Sequence, residues 1–488
     1  MKRKQFFTRA ASASALVFLL LISQRSMSAQ GLEIPVTSSS KEALKLFRDS
    51  RDRIDNFETT AAAAFLERAV TIDPDFAMAY LLRARIGGGF TAARQNIDKA
   101  ASLADKVTPG ERHWILAVQA EAERNQAKLK EHLDQLLRGF PSDKRVHQLA
   151  GNYYLNSGDA RTAAAEFEKA ILLDKKFAPA YNALGYARSA LDEFAAAEEA
   201  FKTYIALLPN NANPYDSYAE LLFKLGRYDE SIAQYRKAME RDPSFVGSLA
   251  GIGNNYIFKG DYAKAREAYQ QLLAKAPGAG AKIQALDLIV ASYLHEGKVE
   301  EALKVNEQLL ALAQEARDLP TIIRVYQNGA LILLESGRLD DAMKQVETGN
   351  KVGVESSLPA SVKDSIRFAL MLTQARILAE RHEFDAARAQ LEEARRLTAA
   401  AKKPSDERAL NEYFALLELR QGNPGKALDY FAGANQDAPY IWYYRAIAYE
   451  QTGDKVTAAK YYAKVVKWNQ NDLGYAIVRP RALAKMSN

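Results

Sequence analysis

Histidine is the side chain best placed for proton transfer and metal binding near neutral pH, and the sequence holds five: His113, His132, His147, His295 and His382. No two stand in HxxxH or HExxH order, so neither a zinc site nor a histidine general base is expected, and packing roles are assigned to all five. Cysteine is absent, which excludes disulfides, thiolate zinc sites, iron–sulfur ligation, a cysteine nucleophile and the acylated cysteine of a bacterial lipoprotein. Gly278-Ala279-Gly280-Ala281-Lys282 looks like part of a phosphate loop but lacks the GxxxxGK[ST] spacing and a preceding strand, so it reads as a hinge. Gly87-Gly88-Gly89 and Gly251-Ile252-Gly253 fall inside or at the ends of expected helices, where close packing or a turn explains them. Glu198-Glu199 and Glu392-Glu393 could each supply half of a glycosidase carboxylate pair, yet solvated helix faces are the simpler reading. No catalysis, cofactor or metal is therefore expected.

The 24 tyrosines raise a different chemistry, stacking of sugars or peptides, although most of them occupy positions that packing already requires. Charge gives no support for nucleic acid. The formal net charge of the 488-residue chain is +6, but residues 1–29 hold five basic residues and no acid, leaving about +1 on the rest. Lys2 to Lys4, the apolar stretch Ala10 to Ile22, and Ser26, Ser28 and Ala29 follow the order of a secretory signal, with cleavage expected near Ser28 or Ala29. A periplasmic or secreted body is expected, with an uncleaved anchor as the alternative. No later stretch approaches the ~18 apolar residues of a membrane span.

What must position any functional side chain is a repeat of 34 residues. Numbering Ala178 to Asn211 as positions 1 to 34 puts Tyr181, Leu184, Gly185, Ala197, Phe201 and Pro209 at 4, 7, 8, 20, 24 and 32. The next window repeats the layout with Tyr215, Tyr218, Ala219, Gly226, Tyr228, Tyr235, Ala238 and Pro243, and the one from Val246 with Gly253, Tyr256, Gly260, Tyr262, Ala265, Tyr269 and Pro277. The register continues from 43 to 177 and resumes at 283, 323, 368, 408 and 439, about twelve copies. Small residues at positions 8 and 20 mark the close approach of two helices, and a leucine there would cost roughly 1–3 kcal/mol by overpacking. The large residues at position 24 are expected to pack onto the following unit. Glycine at position 15 (158, 226, 260, 297, 337, 422 and 453) suits a left-handed helix end, and Asp159, Asp261 and Asp454 are placed to cap the second helix. Asp73-Pro74 and Asp242-Pro243 mark the passage to the next unit, the proline being suited to a first helical turn.

Over residues 43 to 472 this pattern resembles the tetratricopeptide repeat (TPR) family, which implies an all-α fold, a right-handed α-solenoid of about twelve helix-turn-helix repeats. The resemblance also implies that first-helix positions 2, 5, 9, 12 and 13 face a concave groove. These positions hold Arg145, Gln148, Asn152, Asn156, Asn182, Tyr186, Asn213, Asp216, Glu220, Phe223, Lys224, Asn254 and Phe258. Amides interleaved with aromatics suit capture of an extended peptide, the amides bonding its backbone and the rings its side chains. Some family members hold carboxyl-terminal tails in a clamp of lysines, arginine and asparagines. Here Asn152 matches one clamp asparagine, but Gln148, Ala183, Asn213 and Ser217 occupy the other positions, so that mode is not expected.

The expected organisation is a signal peptide (1–29), a lead-in (30–42), a regular array (43–280), a less regular array (281–472) and a C-terminal cap (473–488). Additions near Ala311 to Asp318 and Ala394 to Lys403 are expected to lengthen second helices, and Val352 to Pro359 to form a loop. Ile34 to Leu44 resembles the lead-in of repeat arrays attached to bacterial kinases and transcriptional regulators. The functional expectation is an exported module that binds a protein or peptide segment in its groove. The alternatives are a scaffold of outer-membrane or exopolysaccharide export machinery, and a carbohydrate-active enzyme with carboxylates inside the coil.

Overall fold

The computed structural model describes residues 33–86, 89–399 and 403–487, so the segment assigned to the signal, together with Gly87 and Gly88, lies outside the described residues. No strand occurs among the described residues, and no described helix is long and apolar enough to cross a membrane. The helices are α1 Lys41–Asp55, α2 Thr59–Ile72, α3 Ala77–Arg83, α4 Gly89–Ser102, α5 Pro109–Ala122, α6 Gln126–Gly139, α7 Lys144–Asn156, α8 Ala160–Leu173, α9 Ala178–Ala190 and α10 Phe194–Leu207. There follow α11 Ala212–Lys224, α12 Tyr228–Arg241, α13 Ser248–Lys259, α14 Tyr262–Lys275, α15 Ala279–His295, α16 Val299–Glu315, α17 Leu319–Glu335 and α18 Leu339–Glu355. The last are α19 Ala360–Glu380, α20 Phe384–Thr398, α21 Pro404–Arg420, α22 Pro424–Ala432, α23 Pro439–Gln451, α24 Lys455–Lys467 and α25 Leu473–Ser487.

The chain divides into two compact units, one ending at Leu221 and including Glu240–Asp242, the other made of Leu222–Met239 and the residues from Pro243 onward. Each is a run of α-solenoid in which a helix packs on its partner and then on the first helix of the next pair. The change in regularity expected near 280 is a change in helix length: α13 and α14 have 12 and 14 residues, whereas α15 to α18 have 17 each and α19 has 21. The addition after Ala311 lengthens α16 to Glu315, as expected. Val352 to Glu355, expected as loop, instead continue α18, because Gly353 lets the helix lie against Ile366 of α19.

Punctuation follows the repeat. The position-15 glycines all adopt φ between +73° and +88°. Where the repeat lacks glycine the backbone keeps the same shape: Phe57, Arg124, Asp192 and His382, also at position 15, lie at φ +56° to +63°. Closure of the helix pair therefore demands a left-handed residue there, whatever side chain must accept its steric cost. Asp159, Asp261 and Asp454 accept from the backbone N–H groups of Thr162, Lys264 and Thr457 as N-caps. Pro74 and Pro243 stand in the turn ahead of the next helix rather than in its first turn.

Packing explains the small residues. Alanines at position 20 (62, 163, 197, 265, 302, 342, 387 and 427) are fully buried. The position-24 ring packs first against its own unit: a Cβ on Gly151 would meet Phe167 at 2.4 Å, one on Gly185 would meet Phe201 at 2.6 Å, and one on Gly253 would meet Tyr269 at 2.1 Å. The expectation that these rings serve the following unit holds for Tyr235, which lies over Gly251.

Candidate functional site

In the first unit the groove positions gather on α7, α9 and α11. Gln148 Nε2 donates to Asn152 Oδ1 at 3.2 Å, one turn further along α7. Asn156 is exposed at the end of the same helix. Tyr186 of α9 donates to Glu220 of α11 at 2.7 Å. Burial, then the Glu220 charge, push the Tyr186 hydroxyl well above its ordinary range, so it stays a donor at any physiological pH. Asn213 donates to the Tyr204 hydroxyl at 3.0 Å, and Asp216 lies near enough to Tyr186 to add to the charge opposing its ionisation. Two acceptors are left over. Gln148 Oε1 and Asn182 Oδ1, on the neighbouring first helices α7 and α9, are buried and have no hydrogen-bond partner among the described residues. A buried amide oxygen without a donor costs about 1–3 kcal/mol, so these two atoms favour a ligand that brings N–H groups.

Arg145 is not available in the same way. Its guanidinium pairs with Asp55 at 2.6 Å and lies 3.4 Å from both Asp52 and Glu33, with its Cζ 5.6 Å from the centre of the Phe177 ring. The turn between α1 and α2 thus reaches the interior of the first unit, where Asn211 also donates to the Asn56 carbonyl and Phe57 packs 6.1 Å from Tyr204. Burial raises the Asp55 carboxyl, against the opposing pull of Arg145. A cleft of about 360 Å³ opens beside this turn, lined by Asp49, Asp52, Arg53, Asn56, Glu58 and Phe65. Arg51 and Asp55 occupy groove positions 9 and 13 of the copy beginning at 43, so carrying the register to that copy would have found them.

In the second unit the groove positions are already partnered. Phe258 lies edge-on to Phe223 at 5.1 Å, stacks on Tyr475 at 5.9 Å and sits beneath Arg479. Asn254 Oδ1 accepts from the Tyr269 hydroxyl at 2.8 Å and from Asn471 at 3.1 Å. Lys224, at the end of α11, is exposed. The segment expected to cap the array is α25, which packs on α24 and also on α15 and α23. His295 Nε2 meets Asn471 Oδ1 at 2.9 Å, and burial lowers this histidine to about 4, so it is neutral and structural.

Sequence reasoning also missed a buried ionic cluster in this unit. Glu335 accepts from Tyr440, from Tyr444 at 2.8 Å and from Arg481 of α25 at 2.5 Å, with Arg376 3.9 Å away. Burial alone would raise Glu335; Arg376, Arg481 and Tyr440 overcome it and hold the carboxyl low. Glu335, Arg376 and Glu380 fall at groove positions 13, 9 and 13 of their copies, so these three groove positions of the second unit are taken up by its own interior.

Of the carboxylate pairs, Glu392 and Glu393 pair with Arg395 and Arg396 on the surface, whereas Glu198 is partly buried and pairs with Lys202 and Tyr218. Among the described residues no group of three or more His, Cys, Asp or Glu could hold a metal.

Models of the tetratricopeptide repeat match residues 149–212, 222–287 and 414–472. The mouse Superkiller complex protein 3 is 28% identical over 113 residues, 23% of this chain and 7% of that protein. The human antiviral innate immune response effector IFIT1 is 23% identical over 255 residues, 50% of this chain and 49% of that protein. The chain therefore spans half or less of the curated relatives it matches. Among solved structures, the crystal structure of MamA is 25% identical and covers 33% of this chain and 94% of that one, with a TM-score of 0.30. TTC0263, a thermophilic TPR protein from Thermus thermophilus, is 21% identical and covers 37% and 96%, with a TM-score of 0.31. The matched stretches fall in both units and on the same register of paired helices, left-handed turns and small contact residues, so tetratricopeptide repeats are present in these three stretches.

Proposed function

We propose that the concave face of the first unit, between α7 and α11, binds an extended peptide segment of another protein, and that the chain acts as an exported interaction module without catalysis. The observation that carries this reading is the pair of orphaned amide oxygens, Gln148 Oε1 and Asn182 Oδ1, on adjacent first helices. Neighbouring first helices lie roughly 10 Å apart, about three residues of extended chain, so one peptide can offer an N–H to each. Tyr186 and Asn152 flank them with further polar groups, and the exposed Asn156 widens the mouth. Export is supported by the cationic, apolar and small-residue order of residues 1–29. The acidic groups beside the α1–α2 turn are engaged by arginines, Asp52 and Asp55 by Arg145 and Glu58 by Arg53, which supports peptide binding over a sugar-cleaving pair of carboxylates.

The test is peptide selection. Peptides chosen from a random display library on the immobilised full chain should lose at least tenfold in affinity with Gln148→Ala or Asn182→Ala, and keep it with Asn254→Ala, whose partners are the chain's own Tyr269 and Asn471. Equal binding to all three variants would reject the concave face of the first unit as the site.

A further inference from the structure

The lead-in, residues 33–40, has no helix or strand of its own, yet its burial alternates: Ile34 is buried, Val36, Ser38 and Ser40 are partly covered, and Glu33, Pro35, Thr37 and Ser39 are exposed. That period of two is the signature of extended chain lying on a surface. The surface is the row of first-helix entrances of the first unit. Ile34 N–H donates to Asp143 Oδ2 at 2.9 Å, at the start of α7. Thr37 donates to Glu111 with its N–H and with its hydroxyl, both at 2.7 Å, in the first turn of α5. Ser39 N–H and the Ser38 hydroxyl both reach Asp73 Oδ2, at 2.8 and 2.6 Å, ahead of α3. The lead-in thus hands donors to three successive helix pairs.

The three carboxylates mark this row as built to be occupied. Asp73, Glu111 and Asp143 are 4%, 0% and 3% exposed, and what they meet are N–H and O–H groups rather than lysine or arginine. Each keeps a local donor of its own, Thr108 for Glu111, the Arg145 N–H for Asp143 and the Asp75 N–H for Asp73. An empty row would still strip Glu111 Oε1, Asp143 Oδ2 and Asp73 Oδ2 of the donors the lead-in supplies, which is unfavourable for buried carboxylate oxygens. A side-chain socket accompanies the backbone contacts. Ile34, 7% exposed, sits among Leu136, Val146 and Phe140, and a Cβ on Gly110 would stand 2.9 Å from its Cγ2. The Pro35 carbonyl accepts from Thr108 at 3.2 Å. One apolar side chain in a socket, then a hydroxyl residue three places on, is a recognition pattern of the kind by which extended peptides are read.

We propose that this edge is a second, sequence-selective peptide site, distinct from the orphaned amide pair, that the lead-in occupies it in cis, and that the same segment of a second copy takes it in trans once the resident one is displaced. A second copy's lead-in carries the matching chemistry by identity, and exchange of one short segment between identical chains replaces each contact with its equivalent. The tether gives the resident segment an effective concentration in the millimolar range, so cis occupancy dominates in the unperturbed protein.

The experiment weakens the occupant and leaves the receptor intact. A fluorescent peptide of residues Glu33 to Glu42 should bind the full chain carrying Ile34→Asp at least tenfold more tightly, by anisotropy, than it binds the wild type. Adding Glu111→Gln should reduce that binding at least tenfold, and a scrambled peptide should not bind. If far-UV circular dichroism shows that Ile34→Asp loses helix, Thr37→Pro takes its place, since it removes one N–H and one hydroxyl while remaining compatible with extended chain. A folded variant that binds its own lead-in peptide no better than the scrambled one overturns the proposal. No residue of the orphaned amide pair is touched, so this outcome is independent of the concave-face test.

Discussion

Three glycines of the first unit separate three physical reasons for glycine, and the same substitution should act on them with different sign. Gly151 lies inside α7 directly beneath Phe167, so an alanine Cβ would stand 2.4 Å from the ring. Phe167 is fully buried among Ala163, Ala164 and Ala187 and has nowhere to retreat. Overpacking of this kind costs about 1–3 kcal/mol and the better helix propensity of alanine returns about 0.8–1, so Gly151→Ala should lose up to about 2 kcal/mol. Gly158 has open space around its Cα but φ of +86°, so Gly158→Ala should lose about 1–2 kcal/mol through the backbone alone. Gly139 closes α6 with open space and no left-handed backbone, so Gly139→Ala should gain up to about 1 kcal/mol. Urea unfolding of the full chain followed at 222 nm reads all three, with the slope checked for a change in cooperativity. If Gly151→Ala proves as stable as Gly139→Ala, the ring is not pinned over position 8, and the packing account given for every repeat fails with it.

Two further outcomes follow from the ionisable groups. His147 donates both ring nitrogens, to Glu166 at 2.6 Å and to the Pro141 carbonyl at 2.8 Å; burial would lower it, but these partners prevail and raise it, while His113 and His132, sharing a 3.2 Å Nδ1 contact, are both lowered by burial. A raised histidine adds stability that is complete below its unfolded value of about 6.5 and vanishes as pH climbs through its folded value, and lowered Glu166 adds stability that vanishes as pH falls through its own; His147→Gln should therefore flatten the decline in stability above pH 6.5, and NMR titration should place His147 above the other two. In the second unit, Glu335→Ala removes the shared acceptor of Tyr440, Tyr444 and Arg481 and leaves Arg376 facing a lost charge, which should cost about 3–5 kcal/mol in urea unfolding; a loss under about 1 kcal/mol would mean that the cluster is not held together by this carboxylate.

The helix pairs were legible because their signals are steric and local. Glycine at position 15, a small residue at 20 and a ring at 24 each answer one constraint, and the structure meets those constraints even where the residue type hides them, as at Phe57 and Arg124. The direction of the position-24 ring was not legible, because facing its own unit or the next depends on which glycine lies beneath it, Gly151 in one copy and Gly251 in another. Helix length beyond the repeat was half legible: the addition after Ala311 extended α16, whereas Val352 to Glu355 looked like a break and was not one.

The functional surface was harder to read because a groove position specifies a direction and not a vacancy. Register placed Asn182 and Asn254 on equivalent inner faces, yet Asn254 is bonded by a residue more than two hundred positions away, while the oxygen of Asn182 meets no partner among the described residues. What decides between them is which distant segment of the same chain folds onto each face, and that is a contest between surfaces that no repeat period encodes. The same contest explains why the lead-in, which carries no periodic signal, is held along its length: three buried carboxylates at the entrances of successive helix pairs act on it together, although each alone looks like an ordinary helix-entrance acid. In a solenoid, a site is therefore identified less by the residues that face it than by whether the chain itself has already filled it.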